Sequence, residues 1–218
     1  MRLIIYGTGN EGKIAFDIAQ EQNKEVIGFI DDYNENKMFL NLPILGKGKD
    51  LKQHLKKNKA KAIIAIGKHD SLESFEGSAS NLRERVYKEL SDEEIDTLIH
   101  PFSSISKLAK IGPGSIIHTG VTIEPDTVVG RGCIINNGSK LCHDISIGDY
   151  THIAPKVTVT GRVSIGKNVW VGTGTTILDG ITIGNNCFIG AGSLVLKDIP
   201  DNTLAYGSPA KIVRSLEK

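Results

Sequence analysis

With 218 residues, the chain can bury one large core or two small ones. Its 26 Lys and Arg nearly balance 25 Asp and Glu, so it lacks the basic excess of a nucleic-acid binder. No apolar run approaches the roughly 20 residues that span a bilayer, so membrane insertion is not expected.

The opening MRLIIYGTGN carries a short apolar stretch and then turns glycine-rich, which predicts a first strand, not a signal peptide. Leu3–Tyr6 reads as that strand and Gly12–Gln22 as the helix after it. Val26–Ile30 and Ala62–Ile66 follow as strands, Leu82–Leu90 as a helix and Thr97–Ile99 as a short strand. Such alternation predicts a parallel sheet with crossover helices, an α/β Rossmann-like domain over residues 1–100. Asp31–Asn41 reads as a surface loop, the lysine-rich stretch 47–61 as a solvated helix face, and Ser91–Asp96 as a connection.

Gly7-Thr8-Gly9-Asn10-Glu11-Gly12 stands between the first strand and its helix, with Asp31-Asp32 about 20 residues on. Glycines let backbone approach a phosphate, and a helix N-terminus adds free N–H groups and a positive dipole end. NAD is the first candidate for such a loop. It is set aside because the segment before residue 101 is long enough for only one mononucleotide half.

From Ile105 the pattern becomes a repeat. Every sixth residue through Val195 is Ile, Val or Leu, sixteen times without a break in frame. Gly often fills the second place of the hexad (112, 130, 148, 166, 172, 184, 190), and the fifth is often small, as at Ser115, Thr127, Cys133 and Ser139. Each hexad predicts a short flat strand plus a corner, and three make a coil of 18 residues. The first-place aliphatics stack inward, and the small fifth residue fills the tapering corner. Residues 101–218 are thus predicted as an all-β prism of stacked parallel coils with a C-terminal tail. So many flat apolar strands cannot leave all three faces in water, which predicts a trimer. Three cysteines, Cys133, Cys142 and Cys187, without CxxC spacing fit a reduced, cytoplasmic setting.

One segment carries chemistry: Cys142-His143-Asp144-Ile145-Ser146-Ile147-Gly148-Asp149-Tyr150-Thr151-His152. The third place of a hexad lies at an outward corner, so His143 is expected to project from the prism. With the hexads, this segment resembles the left-handed β-helix acyltransferases. The whole chain is similar to the bacterial nucleotide-sugar N-acetyltransferases of bacillosamine and perosamine type and to the sialic acid O-acetyltransferases. The resemblance implies a trimer with sites between adjacent prisms, using acetyl-CoA and no metal. It implies His143 as general base and Asp144 as its supporting carboxylate. It assigns Gly7, Gly9, Asn10, Gly12, Asp31, Asp32, Gly67 and Lys68 to a nucleotide-sugar pocket. It assigns acetyl-CoA to His152, which is expected to reach the thioester from the neighbouring protomer, to Gly161 through its N–H, to Gly190 and Ala191 at a low corner, and to Lys211 and Arg214 in the G-x-P-A-K-x-x-R-like ending.

The expected reaction is N-acetylation of a nucleotide-linked amino sugar, a UDP-4-amino-4,6-dideoxy sugar being favoured. Sugar or sialic acid O-acetylation and a non-catalytic trimeric scaffold are the alternatives. A zinc-dependent γ-type carbonic anhydrase is disfavoured, because His118, His143 and His152 lack a convergent spacing.

Overall fold

The computed structural model describes residues 1–67 and 79–216. In the N-terminal half, β1 (Arg2–Tyr6) lies between β2 (Glu25–Ile30) and β5 (Ala60–Ile64), all parallel. Both faces of β1 are covered, which is why its sequence is a continuous apolar run rather than an alternating one. Leu3 and Ile5 pack with Ala15, Ile18 and Ala19 of α1 (Asn10–Glu21). Ile4 and Tyr6 face Leu51 and Leu55 of α2 (Leu51–Asn58) and Tyr87 of α3 (Ala79–Lys88).

Two strands arise in or next to the expected loop. Met38–Phe39 (β3) and Leu42–Gly46 (β4) form a hairpin, and β4 pairs parallel with β2. Phe39 explains the capture: its ring meets Phe29 edge-on at 4.9 Å, so the hairpin closes the apolar face of the sheet.

The prism begins earlier than its hexad frame. Leu98–Ile99 (β6) pairs with Ile116–Ile117 (β9) rather than with the N-terminal sheet. Two-residue strands β7 to β22 then run from Ser104–Ile105 to Leu194–Val195, each parallel and in register with the strand one coil later. Three flat sheets result. The first-place aliphatic is the inward residue throughout, buried from Ile117 to Val195.

The small fifth place has a polar reason beyond its volume. The hydroxyls of Ser115, Thr127, Ser139 and Thr151 donate to the carbonyls of Gly130, Cys142, Ala154 and Gly166 at 2.6–2.9 Å. Each also accepts an N–H from the next coil, as Ser115 does from Cys133 at 3.0 Å. Backbone groups turned away from the ladder at the corner are thereby paired inside the core. The second-place glycine answers a different need. A Cβ on Gly148 would sit 2.5 Å from the Lys167 nitrogen of the next coil.

The two halves meet on one sheet of the prism, where Leu98 and Ile116 join the α1 core. Polar ties fix the junction: Gln22 Nε2 to Ile99 O at 2.7 Å, Lys24 to Asp96 at 2.6 Å, and Tyr87 Oη to Gly114 O at 2.6 Å. The chain closes with β23 (Thr203–Gly207) and the antiparallel β24 (Ala210–Ser215). Cys133, Cys142 and Cys187 are not joined in disulfides. Among the described residues no helix is long and apolar enough to cross a membrane.

Candidate active site

The glycine loop is built by contact. A Cβ on Gly7 would lie 2.5 Å from Ala65 O, and Gly7 holds φ +118°, so the loop passes over β5 only without a side chain. Gly9 differs, having no atom within 4 Å of its missing Cβ. It caps α1 without a side-chain hydrogen bond, so the first turn of the helix presents its N–H groups to open space.

Asp31 holds this loop in shape. Its Oδ2 accepts from Thr8 N at 2.8 Å and Thr8 Oγ1 at 2.7 Å, and its Oδ1 from Tyr33 N and Asn34 N at 2.9 and 3.0 Å. Burial opposes its ionisation, but these donors together outweigh burial and hold the carboxyl below its ordinary value. Asp32 accepts from Tyr6 Oη and, at 2.8 Å, from Gly48 N. Burial first, and then this bond to Asp32, push the Tyr6 phenol upward.

Asp31→Asn is therefore expected to loosen the loop, because an amide cannot accept all four bonds. The depressed folded value means that Asp31 contributes stability above the ordinary carboxyl value of 3.8, and that this is lost as pH falls through the folded value. Urea unfolding should show a gap between Asp31→Asn and the unmodified protein at neutral pH that closes in acid.

A cavity of about 720 Å³ opens between this loop and the prism. Gly7, Gly9, Asn10, Asp31, Asp32 and Gly67 line it on one side, and Asn136, His152, Pro155 and Trp170 on the other. His152 is buried, with its ring 4.3 Å from Trp170 and its Nε2 3.5 Å from Asn136 Nδ2. Gly12 sits beneath the loop, where a Cβ would strike Gly7. Lys68 lies outside the described residues.

A second centre occupies another edge of the prism. Asp144 Oδ2 lies 2.8 Å from His143 Nδ1, and both side chains are about half exposed. A carboxylate only accepts, so Nδ1 carries the proton and Nε2 is left as an acceptor. The turn that makes this possible holds Asp144 at φ +57°, which Asp tolerates better than most residues. One coil on, the missing Cβ of Gly161 would sit 2.9 Å from His143 Nε2 and 3.0 Å from Asp179 Oδ1. The imidazole thus lies across Gly161, with Asp179, which is paired to Arg162, on the far side.

Within one chain the two centres stay apart. His143, Asp144 and Gly161 share one edge, whereas His152, Gly190 and Ala191 belong to the sheet and corner beside the cavity. Gly190 packs closely, its missing Cβ 2.6 Å from Tyr206 Cβ. Lys211 and Arg214 lie exposed on β24. Among the described residues no cluster of three His, Cys, Asp or Glu is placed to hold a metal.

Comparison with known proteins covers both halves. The PglD N-terminal domain family matches residues 2–75, and the bacterial transferase hexapeptide family, of six repeats, matches residues 126–161 and 162–197. The chain therefore pairs a PglD-type N-terminal domain with hexapeptide repeats of the bacterial transferase type.

Solved structures agree with this two-part transferase along its length. PerB from Caulobacter crescentus, in complex with CoA and GDP-perosamine, is 28% identical over 98% of each chain, with a TM-score of 0.87. The acetyltransferase domain of PglB from Neisseria gonorrhoeae is 25% identical over 97% of this transferase and 99% of that chain, also at 0.87. WeeI from Acinetobacter baumannii, at 22% identity and a TM-score of 0.81 over 98% of this transferase and 100% of that chain, shares the fold. No curated protein matches the transferase sequence.

Proposed function

We propose that this transferase moves an acetyl group from acetyl-CoA to the amine of a nucleotide-linked 4-amino-4,6-dideoxy sugar, as a cytoplasmic homotrimer. Residues 1–100 hold the nucleotide sugar, and residues 101–218 carry the chemistry. The observation that carries this reading is the His143–Asp144 pair, its free Nε2 laid across Gly161. PerB, solved with CoA and GDP-perosamine, supports an amino sugar as acceptor and leaves UDP, dTDP and GDP all to be tried.

In this reading the sugar amine attacks the thioester carbonyl while His143 Nε2 takes the proton the nitrogen loses. The Gly161 N–H, which has no backbone acceptor, faces the oxygen on which charge develops. Collapse of the tetrahedral centre breaks the C–S bond, and the proton on His143 passes to the departing thiolate. Asp144 stabilises the imidazolium in between. No enzyme nucleophile is needed, because a thiolate leaves readily. Lys211 and Arg214 are suited to the CoA phosphates as point charge and fork.

A thiol-release assay tests the reading. Free CoA should appear only when acetyl-CoA is combined with a UDP-, dTDP- or GDP-linked 4-amino sugar, and the product should carry an amide. Release with sialic acid instead would make the chain an O-acetyltransferase. Absence of release with every acceptor would leave a scaffold.

A further inference from the structure

Glu11 is an anion in a place built for anions. It is the second residue of α1 and lines the cavity between Gly9 and the prism. A carboxylate in the first turn of a helix is attracted to the same N–H groups and dipole end that attract a phosphate. Free to swing, it would compete with any diphosphate for the helix terminus.

The prism holds it away. His118 Nε2 lies 2.9 Å from Glu11 Oε1, and the two side chains are only 3% and 10% exposed. The carboxylate accepts, so the imidazole donates through Nε2. His118 is fixed in turn by its backbone, whose N–H donates to Ile135 O of the next coil at 2.9 Å. Among the described residues, the buried guanidinium of Arg83 also acts on Glu11 through its charge. Its Nη2 donates to Tyr150 O, while Nε and Nη1 have no hydrogen-bond partner among the described residues, so it adds charge without fastening the carboxylate.

We infer that His118 is a positioning residue for the nucleotide site: it parks the Glu11 carboxylate against the prism and keeps the α1 terminus clear for the diphosphate. The inference rests on the proposed nucleotide-sugar reading of the cavity. It gives Glu11 no direct role toward the ligand, which makes its charge dispensable and its misplacement harmful.

Calorimetric titration with UDP, dTDP and GDP tests this on the full chain. The best binder to the unmodified protein should lose about tenfold or more in affinity with His118→Phe, which keeps the ring but leaves the carboxylate unpaired. Glu11→Asp, too short to reach His118, should lose a similar amount without touching the prism core. Glu11→Gln should stay within about threefold of the unmodified protein, and His118→Phe combined with Glu11→Gln should return to that range. The Michaelis constant for acetyl-CoA should not move in any of them.

A general loss of structure cannot produce this rescue. If the double variant stays as weak as His118→Phe, or if Glu11→Gln alone loses tenfold, the inference is wrong while the cavity reading stands. If none of the three diphosphates binds the unmodified protein, the cavity reading fails and the inference falls with it. Should His118→Phe not fold, Glu11→Asp against Glu11→Gln decides the matter alone.

Discussion

His143→Ala should lower turnover by about two to four orders of magnitude, the usual worth of a positioned base. The substitution removes the acceptor at Nε2 and leaves the Gly161 N–H and both binding regions in place. The Michaelis constant for acetyl-CoA should therefore change little, since the lost interaction belongs to the transition state. Asp144→Asn should cost less, because the imidazole remains and only its tautomer and basicity suffer. Retention of more than about a third of normal turnover would remove His143 from the role of base.

Mixing two inactive proteins should restore activity. His143 and the cavity sit on different edges of the same prism, with the strand Lys140–Leu141 between them and Asn136, so the proposed base and the proposed nucleotide site must come from different chains. The exposed Leu108, Val128, Leu178 and Leu196 on the prism suit burial against neighbouring copies. The proposed trimer is expected to bring the glycine loop of one protomer to the His143 edge of the next. Gly9→Val is the natural partner variant: its Cβ meets no atom within 4 Å, so it is expected to fold, and its side chain would fill the space the proposed phosphate needs. Co-refolded in equal amounts with His143→Ala, it should recover about a quarter of normal activity, the fraction of interfaces pairing an intact loop with an intact base. A site contained within one chain would recover nothing. Sedimentation at the mass of one 23.6 kDa chain, with activity kept, would equally rule out the shared site.

The prism was legible because its core repeats by translation. One inward aliphatic per hexad is a pattern that sixteen copies make unmistakable, and the structure buries that residue in coil after coil. What the period did not reveal was why fifth places favour hydroxyls, since volume alone would accept alanine. The His143–Asp144 pair could be read because its members are neighbours in sequence. Asp179 stands two whole coils from His143, so 18-residue arithmetic would have found it. The His118–Glu11 pair was out of reach. Its members are 107 residues apart, in halves with different periodicities, and nothing in either half sets how the other docks. The β3–β4 hairpin was missed because polar residues surround it and its single aromatic anchor, Phe39, pairs with Phe29 only in three dimensions.

The unbroken frame from Ile105 to Val195 also makes the catalytic edge a ruler. Neighbouring strands stack about 4.8 Å apart, so groups on one edge can be separated only by whole steps of that height. His143, Gly161 and Asp179 occupy three successive marks. Loop drift cannot tune these intervals, and neither can a small insertion. One extra residue between Leu141 and Val159 would turn Gly161 off the edge where His143 stands and aim a polar residue at the core. A whole extra coil would keep every side chain facing its old direction and move Gly161 one step further from His143. Evolution of such a site can change what stands at a mark but not the distance between marks, and substrates of different length must be met by choosing another rung.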